Sequence, residues 1–147
     1  MEFPATFWEN VTPGATDDEC WLWSGTVSAD GYGRFSVSAD GGKQRRRAAH
    51  RVAYELEVGP IPEGLTLDHV KARGCVHRHC VNPAHLEPVT GKENTLRGDT
   101  FQARNAAKTH CPQGHPYSGE NLRSYNGTRY CLACKREATR RYRAARN

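Results

Sequence analysis

The stretch LTLDHVKARGCVHRHCVNPAHLEPVTGKEN, Leu65–Asn94, decides the fold. Leu65-Thr66-Leu67 reads as a short strand that runs into Asp68-His69. Residues 70–84 are irregular and rich in Lys, Arg, His and Cys. His85-Leu86-Glu87-Pro88-Val89 reads as a second strand ending at Thr90. Thr90 is an N-cap by residue type, and Glu93 three positions on completes a capping box, so a helix follows through Asn94, Leu96 and Arg97. Strand, polar pair, loop, strand and capped helix make a ββα arrangement. It predicts an α+β fold that is low in regular structure.

Upstream, Cys20-Trp21-Leu22-Trp23-Ser24-Gly25 and Tyr32-Gly33-Arg34-Phe35-Ser36-Val37 read as short strands. They flank the turn signal Ala29-Asp30-Gly31, which predicts an N-terminal β-hairpin region. Ala39-Asp40-Gly41-Gly42 marks a second turn. From Ala48 to Val58, the pairs Val52 with Leu56 and Ala49 with Ala53 fall at helical intervals, and Gly59-Pro60 stops that helix. Downstream, 98–110 is polar and its helical continuation stays open. From His110 the composition shifts to a Cys/His/Gly module closed by a basic helix from Leu132 to Ala145. The expected division is 1–108 and 109–147.

Of the 147 residues 37% are hydrophobic and 25% charged, with 14 Gly and 8 Pro, so a single large apolar core is not expected. No apolar run approaches the roughly 20 residues that cross a bilayer. Met1-Glu2-Phe3-Pro4 lacks the regions of a signal peptide, which predicts a cytoplasmic protein. In that compartment the six Cys read as metal ligands rather than disulfides. The net charge of +5 is concentrated in two clusters. Lys43, Arg45, Arg46, Arg47 and Arg51 form one; Lys135, Arg136, Arg140, Arg141, Arg143 and Arg146 form the other. Both suit a polyanionic partner.

The ββα segment holds what phosphodiester cleavage requires. A histidine such as His69 takes a proton from water near neutral pH. The Asp68 carboxylate and the Asn94 side-chain carbonyl offer two oxygens to a hard divalent cation, with positions left for phosphate and water.

Leu67-Asp68-His69, Cys80-Val81-Asn82-Pro83-Ala84-His85-Leu86 and Glu93-Asn94 resemble the HNH endonucleases. These are a branch of the His-Me finger, or ββα-metal, nucleases often found in phages. The spacing Cys75-x4-Cys80-x-Asn82-Pro83-x-His85, then nine residues to Asn94, is similar to that of the His-Cys box homing endonucleases. The loop from His69 to Cys75 is longer than in that pattern. Cys20-Trp21-Leu22-Trp23, Gly31-Tyr32-Gly33-Arg34-Phe35 and His50-Arg51-Val52-Ala53-Tyr54-Glu55 also look like phage HNH proteins, so the resemblance covers about 7–100.

The resemblance implies a metal-dependent DNA endonuclease. His69 would be its general base, and Asp68 and Asn94 would hold one Mg²⁺ or Mn²⁺. Asn82 would bridge the loop and help to orient the His69 ring. DNA contacts are expected from Arg45, Arg46, Arg47, Arg51 and Arg97, and from Lys135, Arg136, Arg140, Arg141 and Arg143, with Arg51 as a phosphate clamp. A homing enzyme and a packaging nuclease beside a phage terminase both fit, as do a monomer and a homodimer. If phage-encoded, the protein would act in the host cytoplasm. The alternative class is a non-catalytic, zinc-stabilised DNA-binding protein.

Structural zinc takes four Cys or His ligands. Cys111-x3-His115 with Cys131-x2-Cys134 supplies one set, against which His110 competes for the place of His115. Cys20, Cys75, Cys80 and His85 supply another, in which His77 or His79 could replace His85. In HNH proteins at large the residue matching His85 often binds the catalytic metal; the two neighbouring Cys favour zinc. His50 is read as structural, and Trp8, Trp21 and Trp23 as core.

Overall fold

The computed structural model describes residues 5–38 and 44–146. The expected turn at 39–42 and Lys43 lie outside the described residues, as does 1–4. The chain divides into two compact units, Met1–Asn94 and Thr95–Asn147.

In the first unit a 3-10 turn over Ala5–Asn10 leads into β1 (Val11–Thr12). This strand pairs antiparallel with β2 (Leu22–Trp23), Val11 opposite Trp23. β3 (Arg34–Ser38) pairs antiparallel with β4 (Gln44–Ala48). The two strands thus take other partners, and the pairing across the Asp30-Gly31 turn is short: a Val27–Gly33 bridge with the Arg34 N–H on the Thr26 carbonyl at 2.7 Å. The reason lies in the edges of β2. One edge is taken by β1, and the other by an isolated bridge from Leu22 to Cys80. The turn itself forms: Gly31 has φ +85°, its N–H donates to the Ser28 carbonyl at 2.8 Å, and Arg34 pairs with Asp30 at 3.2 Å.

α1 (Ala49–Glu57) follows β4 directly and buries Ala49, Val52 and Ala53, whereas Leu56 is exposed. These residues join Phe7, Trp23, Phe35, Val37 and Val81 in the apolar core, with Trp8, Val11 and Trp21 packed against it. Phe7 is its centre, with ring centroids 4.9 Å from Trp8 and 5.1 Å from both Trp23 and Phe35. Gly33 must lack a side chain, because a Cβ there would stand 2.6 Å from the Trp23 ring.

β5 (Thr66–His69) and β6 (Leu86–Val89) pair antiparallel, Asp68 opposite Glu87 and His69 opposite Leu86. Asp68 and His69 thus end the strand rather than follow it. α2 (Gly91–Arg97) leaves β6 at once. The Glu93 N–H donates to Thr90 Oγ1 at 3.1 Å, which is the N-cap half of the expected capping box.

In the second unit α3 (Phe101–Ala107) is capped by Thr100, whose Oγ1 accepts the Ala103 N–H at 3.0 Å. β7 (Leu122–Tyr125) and β8 (Thr128–Cys131) form a hairpin through Asn126 and Gly127, both with positive φ. α4 (Leu132–Ala144) buries no residue. Among the described residues of this unit the buried side chains are Cys111 and Cys131, so no hydrocarbon core holds it.

Truncating Phe7 removes the ring on which three others pack. Phe7→Ala is expected to cost the first unit about 3–5 kcal/mol. Guanidinium unfolding of zinc-loaded protein measures it, and a loss below about 1 kcal/mol would contradict the packing described.

Candidate functional site

The site is assembled on the free edge of β2. The Trp23 N–H donates to the His79 carbonyl at 3.0 Å, and the Val81 N–H to the Trp21 carbonyl at 2.8 Å. This short ladder carries Cys20 alongside Cys80. A 3-10 turn over Pro83–His85, capped by Asn82, brings His85 back to the same point. The ligand atoms of Cys20, Cys75, Cys80 and His85 lie within 4.8 Å of one another. His85 Nδ1 is 3.6 Å from Cys20 Sγ and 3.5 Å from Cys80 Sγ. Tetrahedral zinc bonds of about 2.0–2.3 Å set ligand atoms about 3.5–3.8 Å apart, so the donor set and its spacing suit that ion. The other His85 nitrogen, Nε2, donates to the Asp18 carbonyl at 2.9 Å, which fixes the tautomer that leaves Nδ1 for a metal. His85 is 1% exposed, and it stands with the thiols. His77 and His79 instead face each other, ring centroids 5.4 Å apart. A hydrogen bond from the Cys75 thiol draws Cys80 down to about 4, helped by the Asn82 backbone, and Cys75 is pushed up in turn.

The second tetrad, Cys111, His115, Cys131 and Cys134, meets the same spacing. His115 Nδ1 lies 3.6 Å from Cys111, 3.6 Å from Cys131 and 3.3 Å from Cys134. His110 contacts Thr109 Oγ1 at 3.0 Å instead. Cys131 also caps α4: the Cys134 N–H donates to its sulfur at 3.5 Å and draws the thiol down to about 6. Asn121, which spacing arithmetic passes over, donates to Cys131 Sγ at 3.4 Å and accepts the Ala133 N–H at 2.8 Å.

His69 is held from the first tetrad. Its Nε2 donates to the backbone carbonyl of Cys80 at 3.0 Å, so the proton sits on Nε2 and Nδ1 carries the lone pair. Asn82, expected to bridge the loop and help to orient this ring, makes the loop contacts. Asn82 Nδ2 donates to the Asp17 and Glu19 carbonyls at 2.8 and 2.7 Å, and its Oδ1 accepts the Ala84 N–H at 2.9 Å. Buried at 1% exposure, this side chain ties the loop to the N-terminal segment, and the Cys80 carbonyl holds the His69 ring.

Asp68 ends β5, and Asn94 lies in α2, its N–H on the Thr90 carbonyl at 2.9 Å. Both are half-buried. Two residues not assigned to the site by sequence close around His69. The His50 ring centroid is 4.8 Å away and that of Tyr32 is 5.8 Å away, with 5.6 Å between these two. Burial pushes His50 down to about 3, reinforced by coulombic opposition from His69, Arg51 and Arg34 to a charge on its ring. Its Nδ1 is buried without a hydrogen-bond partner, a situation that costs about 1–3 kcal/mol. Helical spacing places position 50 beside the buried Ala49 and Ala53, which is the signal that could have located it.

The cationic residues differ in setting. Arg45 and Arg46 are exposed on β4. Arg47, across from the buried Phe35, turns to Glu55 at 2.6 Å and braces β4 against α1. Arg51 is half-buried and Arg97 exposed. Lys135, Arg136, Arg140 and Arg143 line one recess of about 430 Å³ with Leu132 and Thr139, and Arg141 is exposed on the same helix.

Residues 47–96 match the HNH endonuclease family model. The likeness to HNH endonucleases is carried by this segment. The segment runs from the end of β4 through α2 and contains His50, Asp68, His69, the loop cysteines and Asn94. The chain is 33% identical over 69 residues to the gene 5.3 protein of Enterobacteria phage T3, covering 46% of this chain and 64% of that one. It is also 33% identical over 78 residues to protein 7.7 of Escherichia phage T7, covering 53% of each. The chain thus spans between about half and just under two thirds of these relatives' length. A solved structure of the HNH homing endonuclease I-HmuI, described by DNA binding and cleavage, overlaps 82% of this chain and 74% of its own. Identity is 20% and the TM-score 0.39, a likeness that carries no weight for fold or role. Among the described residues no helix is long and apolar enough to cross a membrane.

Each tetrad is predicted to load independently. Wild type should carry two zinc ions per chain by elemental analysis, and Cys80→Ser and Cys131→Ser one each. Retention of two ions by either variant would contradict its tetrad.

Proposed function

We propose that this protein is a metal-dependent DNA endonuclease in which His69 activates water. The observation that carries the reading is the His69–Cys80 hydrogen bond. A backbone carbonyl on Nε2 dictates the tautomer, and the bare Nδ1 at the end of β5 is a base near neutral pH. Asp68 and Asn94 are the proposed cation ligands. Their donor set is all oxygen, the chemistry Mg²⁺ or Mn²⁺ prefers, while the thiols are gathered into the zinc tetrads. When bound there, the cation supplies Lewis-acid stabilisation of the charge developing on the phosphate and the leaving oxygen.

His69 Nδ1 takes a proton from water as the water oxygen attacks phosphorus. The P–O3′ bond breaks, and the leaving oxygen takes a proton from solvent, giving 5′-phosphate and 3′-hydroxyl ends. Asn82 holds the loop that carries the Cys80 carbonyl. DNA is the proposed substrate on family grounds and on charge. Arg45, Arg46 and Arg51 in the first unit, and Lys135, Arg136, Arg140, Arg141 and Arg143 on α4, are the proposed phosphate contacts. One such site per chain gives nicks from a monomer, with paired cuts requiring two chains.

His69→Ala should lower Mg²⁺-dependent nicking of supercoiled plasmid by about 10²–10⁴-fold, with DNA affinity changed less than about threefold. EDTA should stop the wild type. Equal cleavage by the variant would remove His69 from the chemistry.

A further inference from the structure

His50 is the residue at this site that neither the tetrads nor the proposed chemistry uses. It stands in the first turn of α1 and presents its ring at 67° to that of His69, with centroids 4.8 Å apart. Tyr32 completes a triangle of three rings and is itself braced by the Arg78 guanidinium, 5.7 Å from its centroid. Among the described residues His50 Nδ1 is the buried side-chain nitrogen or oxygen atom with no hydrogen-bond partner. Buried polar atoms are almost always satisfied, and an orphan points to a bound water, an ion or a functional role.

The surroundings narrow the choice. His69, Arg51 and Arg34 all oppose a positive charge at His50, and burial does the same, so the ring is neutral. A cation is excluded as its partner by those same neighbours. A purely apolar wall would be served by Phe, with no polar atom to satisfy. Water needs two or more polar partners in such a place, and the two rings beside His50, His69 at 4.8 Å and Tyr32 at 5.6 Å, both carry polar atoms.

We infer that His50 is a positioning residue for His69: its buried Nδ1 holds an ordered water lodged against the His69 ring. This rests on the reading of His69 as the base. The water then gives the His69 ring a second contact besides its bond to the Cys80 carbonyl. That bond alone leaves the imidazole free to rock about the Nε2–H axis, and a base that rocks meets its water less often.

Two substitutions separate the atom from the ring. His50→Asn keeps a hydrogen-bonding atom near the place of Nδ1, and His50→Phe keeps the ring without it. Zinc-loaded full chains are compared at saturating protein for their single-turnover nicking rate with Mg²⁺. Long-range ¹H–¹⁵N spectra of His69 are recorded on the same samples. The Phe variant is expected to nick at least about tenfold more slowly with unchanged half-saturation, and to lose the clean Nε2–H tautomer pattern. The Asn variant is expected to stay within about threefold of wild type and to keep that pattern. A Phe variant matching wild type in rate and spectrum overturns the inference. Should the Phe variant melt early or lose zinc, the Asn variant decides alone, and a rate below a tenth of wild type overturns it. A wild type that never nicks, yet shows the Asn–Phe difference in the His69 spectrum, would remove the nuclease reading and leave the positioning role intact.

Discussion

Cys80 joins three parts of the first unit through three different atoms. Its backbone lies opposite Leu22 in the bridge to β2, its sulfur stands in the first tetrad, and its carbonyl oxygen accepts the His69 Nε2–H. Each of these depends on the others. Without the bridge, Cys20 has no reason to approach residues 75–85. Without a metal, two buried thiols and a buried imidazole are polar groups with little to satisfy them. Without the carbonyl, the tautomer of His69 is undetermined. A metal site and a candidate catalytic histidine therefore share one residue, and rigidity at the first becomes alignment at the second.

The same economy governs the rest of the chain. The first unit has a small aromatic cluster around Phe7, enough to anchor α1 and β3, into which the loop 70–84 sends Val81. The second unit has no buried hydrocarbon side chain among its described residues, and α4 is exposed along its length. A helix of 13 residues is marginal in water on its own. Here Cys131 caps it and Cys134 sits in its first turn, so a metal held by this tetrad would couple directly to helix formation. That lets α4 keep an almost wholly polar, cationic surface that no core-packed helix could present.

Much of this was legible because the deciding signals are local. The capping box at Thr90 and Glu93, the Gly59-Pro60 stop and the Cys-x2-Cys before a basic helix each act within a few residues. The partners of β2 and β3 were not legible, since a turn signal specifies the turn and says nothing about which edge is already occupied. Asn126-Gly127 was legible as a hairpin, yet reading that region for Cys and His spacing alone passes over it. The partners of Asn82 were not legible for a distance reason: Asp17 and Glu19 lie more than sixty residues away in sequence. His50 opens a family-like segment yet read as structural, and only the folded chain brings it to His69. Arg47 read as one more cation until its partner Glu55 appeared across the β4–α1 junction.

The account makes the first tetrad part of the catalytic apparatus although none of its side chains touches substrate. The direct measurement is the single-turnover nicking rate of Cys75→Ser at saturating Mg²⁺ and protein, alongside its zinc content. Cys75 makes no bond to His69 in the structure, so any effect must pass through the tetrad to the Cys80 carbonyl. The account predicts one zinc lost and a rate at least about tenfold lower, with the C-terminal zinc retained. A variant that has lost its first-site zinc and still nicks at the wild-type rate would contradict it.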